Sequence, residues 1–302
     1  MIYRWWVRRP TVSLANKVVI VTGASSGIGR ATARHFARAD CHVVLVARRE
    51  QPLQQVKHEI DTVAKHPALI VAGDVSNDDD LERIVSDTMQ QYGRIDILIN
   101  NAGISPTGAF QRYTRQEIRD MIDINLYGAV RLTHLVIPIM LRQDSGHIVN
   151  IGSVSDINRP LGHAVYNATR SGLAGFSDSL LREVKSQGIH VTTVLPGWTH
   201  TPLLTTAPYD QAKQMLTDAG LFTPGMTLDR AEDVAQRIVT AVRCRHYRVI
   251  LGGWMFQVLD VIGRISPRLM DVAVEVPYLT GFHHEATLNA LYEESHPESN
   301  SQ

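Results

Sequence analysis

A glycine bend set between a strand-like run and a helix-like run constrains this chain more than any other feature. Residues 17–22 are β-branched and almost wholly apolar, the pattern of a strand covered on both faces. They open into Gly23-Ala24-Ser25-Ser26-Gly27-Ile28-Gly29, after which residues 30–38 place Ala33, Phe36 and Ala37 at helical spacing. Residues 42–47 read as a second buried strand. Glycines in this strand-to-helix context predict a phosphate cradle. The missing Cβ atoms let backbone approach a pyrophosphate, and the N–H groups and dipole of the helix start favour its charge, with Ser25 and Ser26 as further donors. Ile28 lies between the last two glycines.

Further apolar runs recur at residues 68–72, 95–100, 147–151, 191–195 and 248–251, separated by stretches long enough for helices. That alternation predicts an α/β fold, a doubly wound parallel sheet of Rossmann type, with ligands beyond the carboxyl ends of the strands. The expected layout is an N-terminal extension over 1–16, a dinucleotide-binding and catalytic domain over 17–252, and a C-terminal helical extension with a polar tail over 253–302. Residues 201–228, rich in Pro and Gly, read as a mobile cover over a cleft.

Thirty basic against thirty acidic residues leave no field that would attract nucleic acid. Cys41 and Cys244 stand alone, which fits a reducing compartment and a cytoplasmic location. Charges such as Asp260, Arg264 and Arg268 interrupt the most apolar stretches, so no membrane-spanning run is expected. Trp5 and Trp6 among Arg4, Arg8 and Arg9, with an amphipathic stretch over 254–276 broken at Pro267, suit either protein packing or peripheral contact with a membrane. No metal is expected: the adjacent acids Asp78, Asp79 and Asp80 do not converge on one ion and suit a helix start, and His283-His284 lacks spaced partners.

The Thr-Gly-x-x-x-Gly-x-Gly spacing resembles the short-chain dehydrogenase/reductase family, and further segments match in order. Asn100-Asn101-Ala102-Gly103 follows the fourth strand, Asn125 lies in the next helix, and Ser153 ends the fifth strand. Tyr166 stands thirteen residues after Ser153, and Pro196-Gly197 closes the sixth strand. The resemblance implies that Tyr166 exchanges the substrate oxygen's proton, that Ser153 polarises that oxygen, and that Asn125 helps hold a water relay. Independently, hydride transfer to a carbonyl builds negative charge on oxygen, which two hydroxyls can meet. Where the family carries lysine four residues after the tyrosine, this chain has Arg170. The spacing sets both on one helix face, so the cation reaches the nicotinamide ribose and tyrosine, but a guanidinium does not readily surrender a proton. Weakened or altered chemistry is expected, in a chain with 25 Arg and five Lys.

Arg48, nineteen residues after Gly29, stands with Arg49 where an acid would bind a ribose 2′-hydroxyl, which favours NADP(H) over NAD(H), with Glu50 beside them as a contrary charge. By the same resemblance Asp74 and Val75 contact adenine, Asn101, Ala102 and Gly103 line the adenosine side, and Thr201 lies near the carboxamide. Residues 104–110, 154–163 and 201–228 form the substrate wall, suited to a carbonyl or secondary alcohol on a moderately hydrophobic molecule. The family commonly assembles through helices equivalent to residues 116–141 and 166–185, so a homodimer or homotetramer is expected. Two functional classes follow: an NADP(H)-dependent oxidoreductase, or a noncatalytic or weakly active dinucleotide-binding regulatory protein of the same fold.

Overall fold

The computed structural model describes residues 11–205, 208–218 and 225–266. In chain order its elements begin β1 (Val18–Thr22), α1 (Gly27–Arg38), β2 (His42–Ala47), α2 (Glu50–Asp61), β3 (Leu69–Ala72), α3 (Asp78–Tyr92) and β4 (Ile97–Asn100). They continue with α4 (Arg115–Ile122), α5 (Gly128–Arg142), β5 (Gly146–Ile151), α6 (Ser155–Asn158), α7 (Ala164–Val184) and β6 (Ile189–Leu195). The last are β7 (Thr199–His200), α8 (Tyr209–Asp218), β8 (Asp229–Arg230), α9 (Ala231–Arg243), β9 (Arg248–Ile250) and α10 (Trp254–Ile265).

Seven strands form one parallel sheet in the order β3-β2-β1-β4-β5-β6-β9. The order reverses between β1 and β4, which opens a crevice at their carboxyl ends. Alternation along β1 divides the core. Val19 and Val21 join Phe36, Leu53 and Ile238 on one face, while Val18 and Ile20 join Ile84, Leu132, Val136 and Leu180 on the other. Burial on both faces explains why the central strands read as unbroken apolar runs.

Helix boundaries follow local chemistry. Asn77 caps α3 by accepting from Asp80 N, and Gly93 ends it in the left-handed region. Thr114 and Glu117 form a reciprocal capping box on α4. Asp78 faces Tyr127 and Arg131, whereas Asp80 bonds Asp74 N and pairs with Arg83, so these acids serve separate partners.

Three expectations need correction. Asn125 lies in a π-helical turn, Asp123–Tyr127, that joins α4 to α5, rather than in a regular helix. The resulting helical rod, Arg115–Arg142, is long and apolar enough by length and composition to cross a membrane, with a mean hydropathy of 1.4 in its best window. Here Leu132, Val136 and Met140 of that rod pack on the sheet. Finally, the 201–228 cover is no simple loop, since it contains α8 and its base is closed by the β7–β8 pair. The amphipathic C-terminal stretch forms α10, which turns Phe256 inward with Leu259 and Ile262 and leaves Trp254, Val258, Val261 and Ile265 exposed. The Trp5-Trp6 cluster, residues 267–276, the His283-His284 pair and the polar tail lie outside the described residues.

Candidate active site

The glycine bend is built as a cradle. Gly23 and Gly27 adopt φ of 65° and 52°, the left-handed region in which a side chain is strained. At Gly29 a Cβ would lie 2.2 Å from the Gly23 carbonyl oxygen, so only glycine fits. Ser26 precedes α1 without a side-chain cap, and no acid occupies the first turn. The helix start therefore has donors and a positive dipole end that suit a pyrophosphate. Ser25 is half-buried and Ser26 exposed along this bend, while Ile28 packs against the core.

Thr22 and Asn101 lock the crevice between β1 and β4. Thr22 Oγ1 donates to Ile99 O and accepts from the backbone N–H groups of Asn101 (2.9 Å) and Ala102 (3.1 Å), while Asn101 Nδ2 donates to Thr22 O at 2.9 Å. Asn101 thus braces the cradle with its side chain. Thr22 was visible in the sequence as the first letter of the glycine motif, but its role as a junction needed the sheet order. Thr201 closes the other side, with its Cβ and Cγ2 3.1 Å from where a Gly27 Cβ would stand. Gly197 follows buried Pro196 and meets the backbone of Gly252 so closely that a Cβ would come within 2.5 Å of Gly252 Cα.

At the end of β2, Arg48 and Arg49 are both exposed, and Arg48 Nη1 lies 3.9 Å from Asp74 Oδ2. Asp74 Oδ1 accepts from Ser76 N and Oγ, while Val75 is buried with its carbonyl against Gly128. Glu50 Oε1 accepts from Gln54 of its own helix at 3.2 Å.

Around the carboxyl ends of β4 and β5 the structure brings together Gly103, Asn125, Tyr166 and Arg170. Arg170 is 4% exposed. Its Nη1 donates to Ile151 O at 3.1 Å, and its Cζ lies 5.0 Å from the Tyr166 ring centroid. A Cβ on Gly103 would meet Arg170 Nη2 at 2.2 Å and Asn125 Oδ1 at 3.1 Å, so a bare glycine is what admits the guanidinium. Arg170 Nε is buried with no hydrogen-bond partner among the described residues. Asn125 grips Ile104 from both sides, accepting from its N–H at 2.8 Å and donating to its carbonyl at 2.9 Å. Its second amide hydrogen points to Thr169 Oγ1 at 3.3 Å, and Thr169 in turn donates to Tyr166 O.

Ser153 lies two residues beyond the Ile151 carbonyl that holds Arg170. Its Oγ shares a 2.8 Å hydrogen bond with Ser155 Oγ and accepts from Ser155 N at 3.1 Å. His163, which sequence reasoning passed over except as part of a wall segment, stands edge-on to Tyr166 with ring centroids 6.0 Å apart. Burial pushes its pKa below the ordinary imidazole value, against the opposing effect of its bond to the Leu161 carbonyl.

A glycine cradle at the switch point of a doubly wound sheet defines the class of dinucleotide-binding α/β proteins, and here a buried cation stands beside a phenol at the same crevice. The family model for short chain dehydrogenases matches residues 17–212, and the chain belongs to the short-chain dehydrogenase/reductase family. It is 31% identical over 264 residues to the ketoacyl reductase HetN of Nostoc sp., covering 86% of this chain and 88% of that protein. Among solved structures it resembles the L-sorbose reductase of Gluconobacter frateurii complexed with NADPH and L-sorbose, with TM-score 0.74 and 27% identity over 82% of this chain and 99% of that one. It also resembles a 3-ketoacyl-(acyl-carrier-protein) reductase from Brucella melitensis complexed with NADH, with TM-score 0.70 and 27% identity over 79% of this chain and 96% of that one. The protein is an oxidoreductase that acts on C=O or CH–OH groups with a nicotinamide cofactor.

Proposed function

We propose that this enzyme interconverts a carbonyl and a secondary alcohol on a moderately hydrophobic small molecule, using NADP(H) in preference to NAD(H). Tyr166 gives the proton to the substrate oxygen in reduction and takes it in oxidation. Ser153 donates a hydrogen bond to the same oxygen, and the Arg170 cation stabilises the phenolate that remains on Tyr166. Asn125 holds Ile104, and with it the start of the substrate wall, against this centre. Gly23, Gly27 and Gly29 with the start of α1 hold the pyrophosphate. Thr201, Asp74, Val75 and the segment from Asn101 to Gly103 border the rest of the dinucleotide, with Pro196 and Gly197 at the nicotinamide end. The bound cofactor supplies or accepts the hydride.

The observation that carries this reading is the buried Arg170 guanidinium set between Gly103 and the Tyr166 ring. A cation kept there without a carboxylate partner among the described ion pairs has charge available for a phenolate. For the cofactor, the support is the pair of exposed guanidinium groups that directly follows β2, Arg48 and Arg49, whose charge and donor geometry suit a 2′-phosphate even with the carboxylates of Glu50 and Asp74 nearby. The test is NADPH consumption against a panel of aldehydes and ketones, with Tyr166→Phe as control. Substrate-dependent consumption by the parent and a loss of at least about 100-fold in the variant are expected. Equal consumption by both proteins would overturn the assignment.

A further inference from the structure

Two segments that flank Tyr166 are sewn together. Gly108 N donates to Gly162 O at 3.0 Å. The Tyr113 hydroxyl lies 2.8 Å from the Pro106 carbonyl oxygen and 2.9 Å from that of Gly162. Asn167 Nδ2 donates to Pro160 O at 3.1 Å. The remaining tie is between side chains, with Thr107 Oγ1 3.0 Å from His163 Nε2.

The direction of that tie follows from its neighbours. His163 Nδ1 is 3.0 Å from the Leu161 carbonyl, which only accepts, so Nδ1 carries the proton. Nε2 of the neutral ring is then an acceptor, and the Thr107 hydroxyl donates to it rather than to the more distant Ser105 carbonyl at 3.4 Å. His163 is also the residue that leads into α7, three positions before Tyr166, and its ring packs edge-on to the phenol. One imidazole therefore fixes the loop after β4, the loop before α7 and the side of the phenol at once.

We propose that His163 is a positioning residue which, through Thr107, sets the spacing of these two loops beside Tyr166 and thereby the width of carbonyl substrate that the enzyme accepts. The inference rests on the reading of Tyr166 as the proton donor. Hydride and proton transfer are untouched by the tie itself, so its loss acts on substrate fit. In Thr107→Val, which removes the hydroxyl at nearly constant shape, and in His163→Leu, KM for the most compact ketone reduced in the panel rises about five-fold, the effect of losing one neutral hydrogen bond. In both variants kcat changes less than KM, and the preference for the most compact over the bulkiest ketone falls. Thr107→Ser, which keeps the hydroxyl, and His163→Gln, which keeps an acceptor near Nε2, restore the preference. Hydrogen exchange at the Gly108 amide, measured without substrate, quickens in the first two variants and not in the second two.

Unchanged substrate preference in Thr107→Val and His163→Leu, with or without faster exchange at Gly108, would overturn the proposal. So would an equal fall in kcat/KM for every ketone accompanied by weaker NADPH binding, since that marks general damage. Full activity in Tyr166→Phe would instead remove the functional reading, and the specificity inference with it, whereas the exchange data would still report whether the loops are tied.

Discussion

At the scale of single residues, position 170 carries the tension between charge and proton supply. The guanidinium fits its place through the Ile151 carbonyl, the bare Gly103 and the Tyr166 ring, and a lysine would satisfy fewer of these partners. Arg170→Lys is expected to raise kcat by about two- to ten-fold. This is well below the full effect of a general acid–base group, because the cation is retained and only the ease of proton supply improves. The same exchange replaces the planar fork, which donates to the Ile151 carbonyl while facing the Tyr166 ring, with a single shorter ammonium, and is expected to cost roughly 1 kcal/mol of stability. Thermal melts and initial rates should therefore move in opposite directions, and a variant no faster than its parent would count against a relay deficit. Gly103→Ala separates geometry from folding at the same centre. Its Cβ would displace the far end of a long side chain and crowd Asn125 Oδ1, so turnover should fall at least about ten-fold while the melting temperature moves little. A large loss of stability with normal specific activity would contradict that account.

At the scale of elements, the central strands were legible because they are buried on both faces and so write themselves as apolar runs, whereas the edge strands β3 and β9 are only partly buried. The 42–47 run matches β2 to the residue. The candidate centre was legible as an order of residue types along the chain, with Ser153, Tyr166 and Arg170 standing at the end of β5 and in the first turns of α7. What sequence could not supply depends on contacts between distant segments. The π-turn around Asn125 leaves no pattern of its own, since its residues continue a helical rod. The Thr107–His163 tie joins residues 56 apart whose types are unremarkable singly. A second such case is His147 on β5, opposite His190 of β6 in the ladder. Thr192 donates its hydroxyl to the His246 carbonyl, so His147 Nε2, 2.7 Å from Thr192 Oγ1, is the donor in a neutral ring. Burial, with His190 and Arg245 nearby, pushes its pKa down from 6.5 to about 3. The unfolded chain takes up a proton that the folded one refuses, so this residue's contribution is intact above the unfolded pKa and is lost as pH falls from about 6.5 towards 3. Denaturant titrations should show a loss of roughly 3 kcal/mol by about pH 4 from this group. His147→Gln, which keeps a donor but cannot titrate, should flatten that part of the profile, and an unchanged profile would refute the assignment.

At the scale of the whole molecule, the cofactor crevice draws on β1, β2, β4 and β6 together, so filling it should stabilise the entire sheet. A ligand that binds only the folded state at one hundred times its dissociation constant adds about 2.7 kcal/mol. For a chain of this size that corresponds to a rise of about 5 °C in melting temperature. The measurement needs no substrate and so tests the crevice separately from Tyr166. At equal concentrations NADP should raise the melting temperature more than NAD, because only the former offers a 2′-phosphate to Arg48 and Arg49. The pair can be removed cleanly. Both side chains are exposed, and the ion pair of Arg48 with Asp74 among the described residues, at 3.9 Å, is of the exposed kind that contributes little to folding. Arg48→Ala with Arg49→Ala should therefore leave the cofactor-free melting temperature nearly unchanged. It should abolish the advantage of NADP while sparing the shift produced by NAD, because the proposed pyrophosphate cradle at Gly23, Gly27 and the start of α1 is left intact. An NAD shift as large as that of NADP in the parent would overturn the cofactor preference, and no shift with either dinucleotide would remove the crevice as their site.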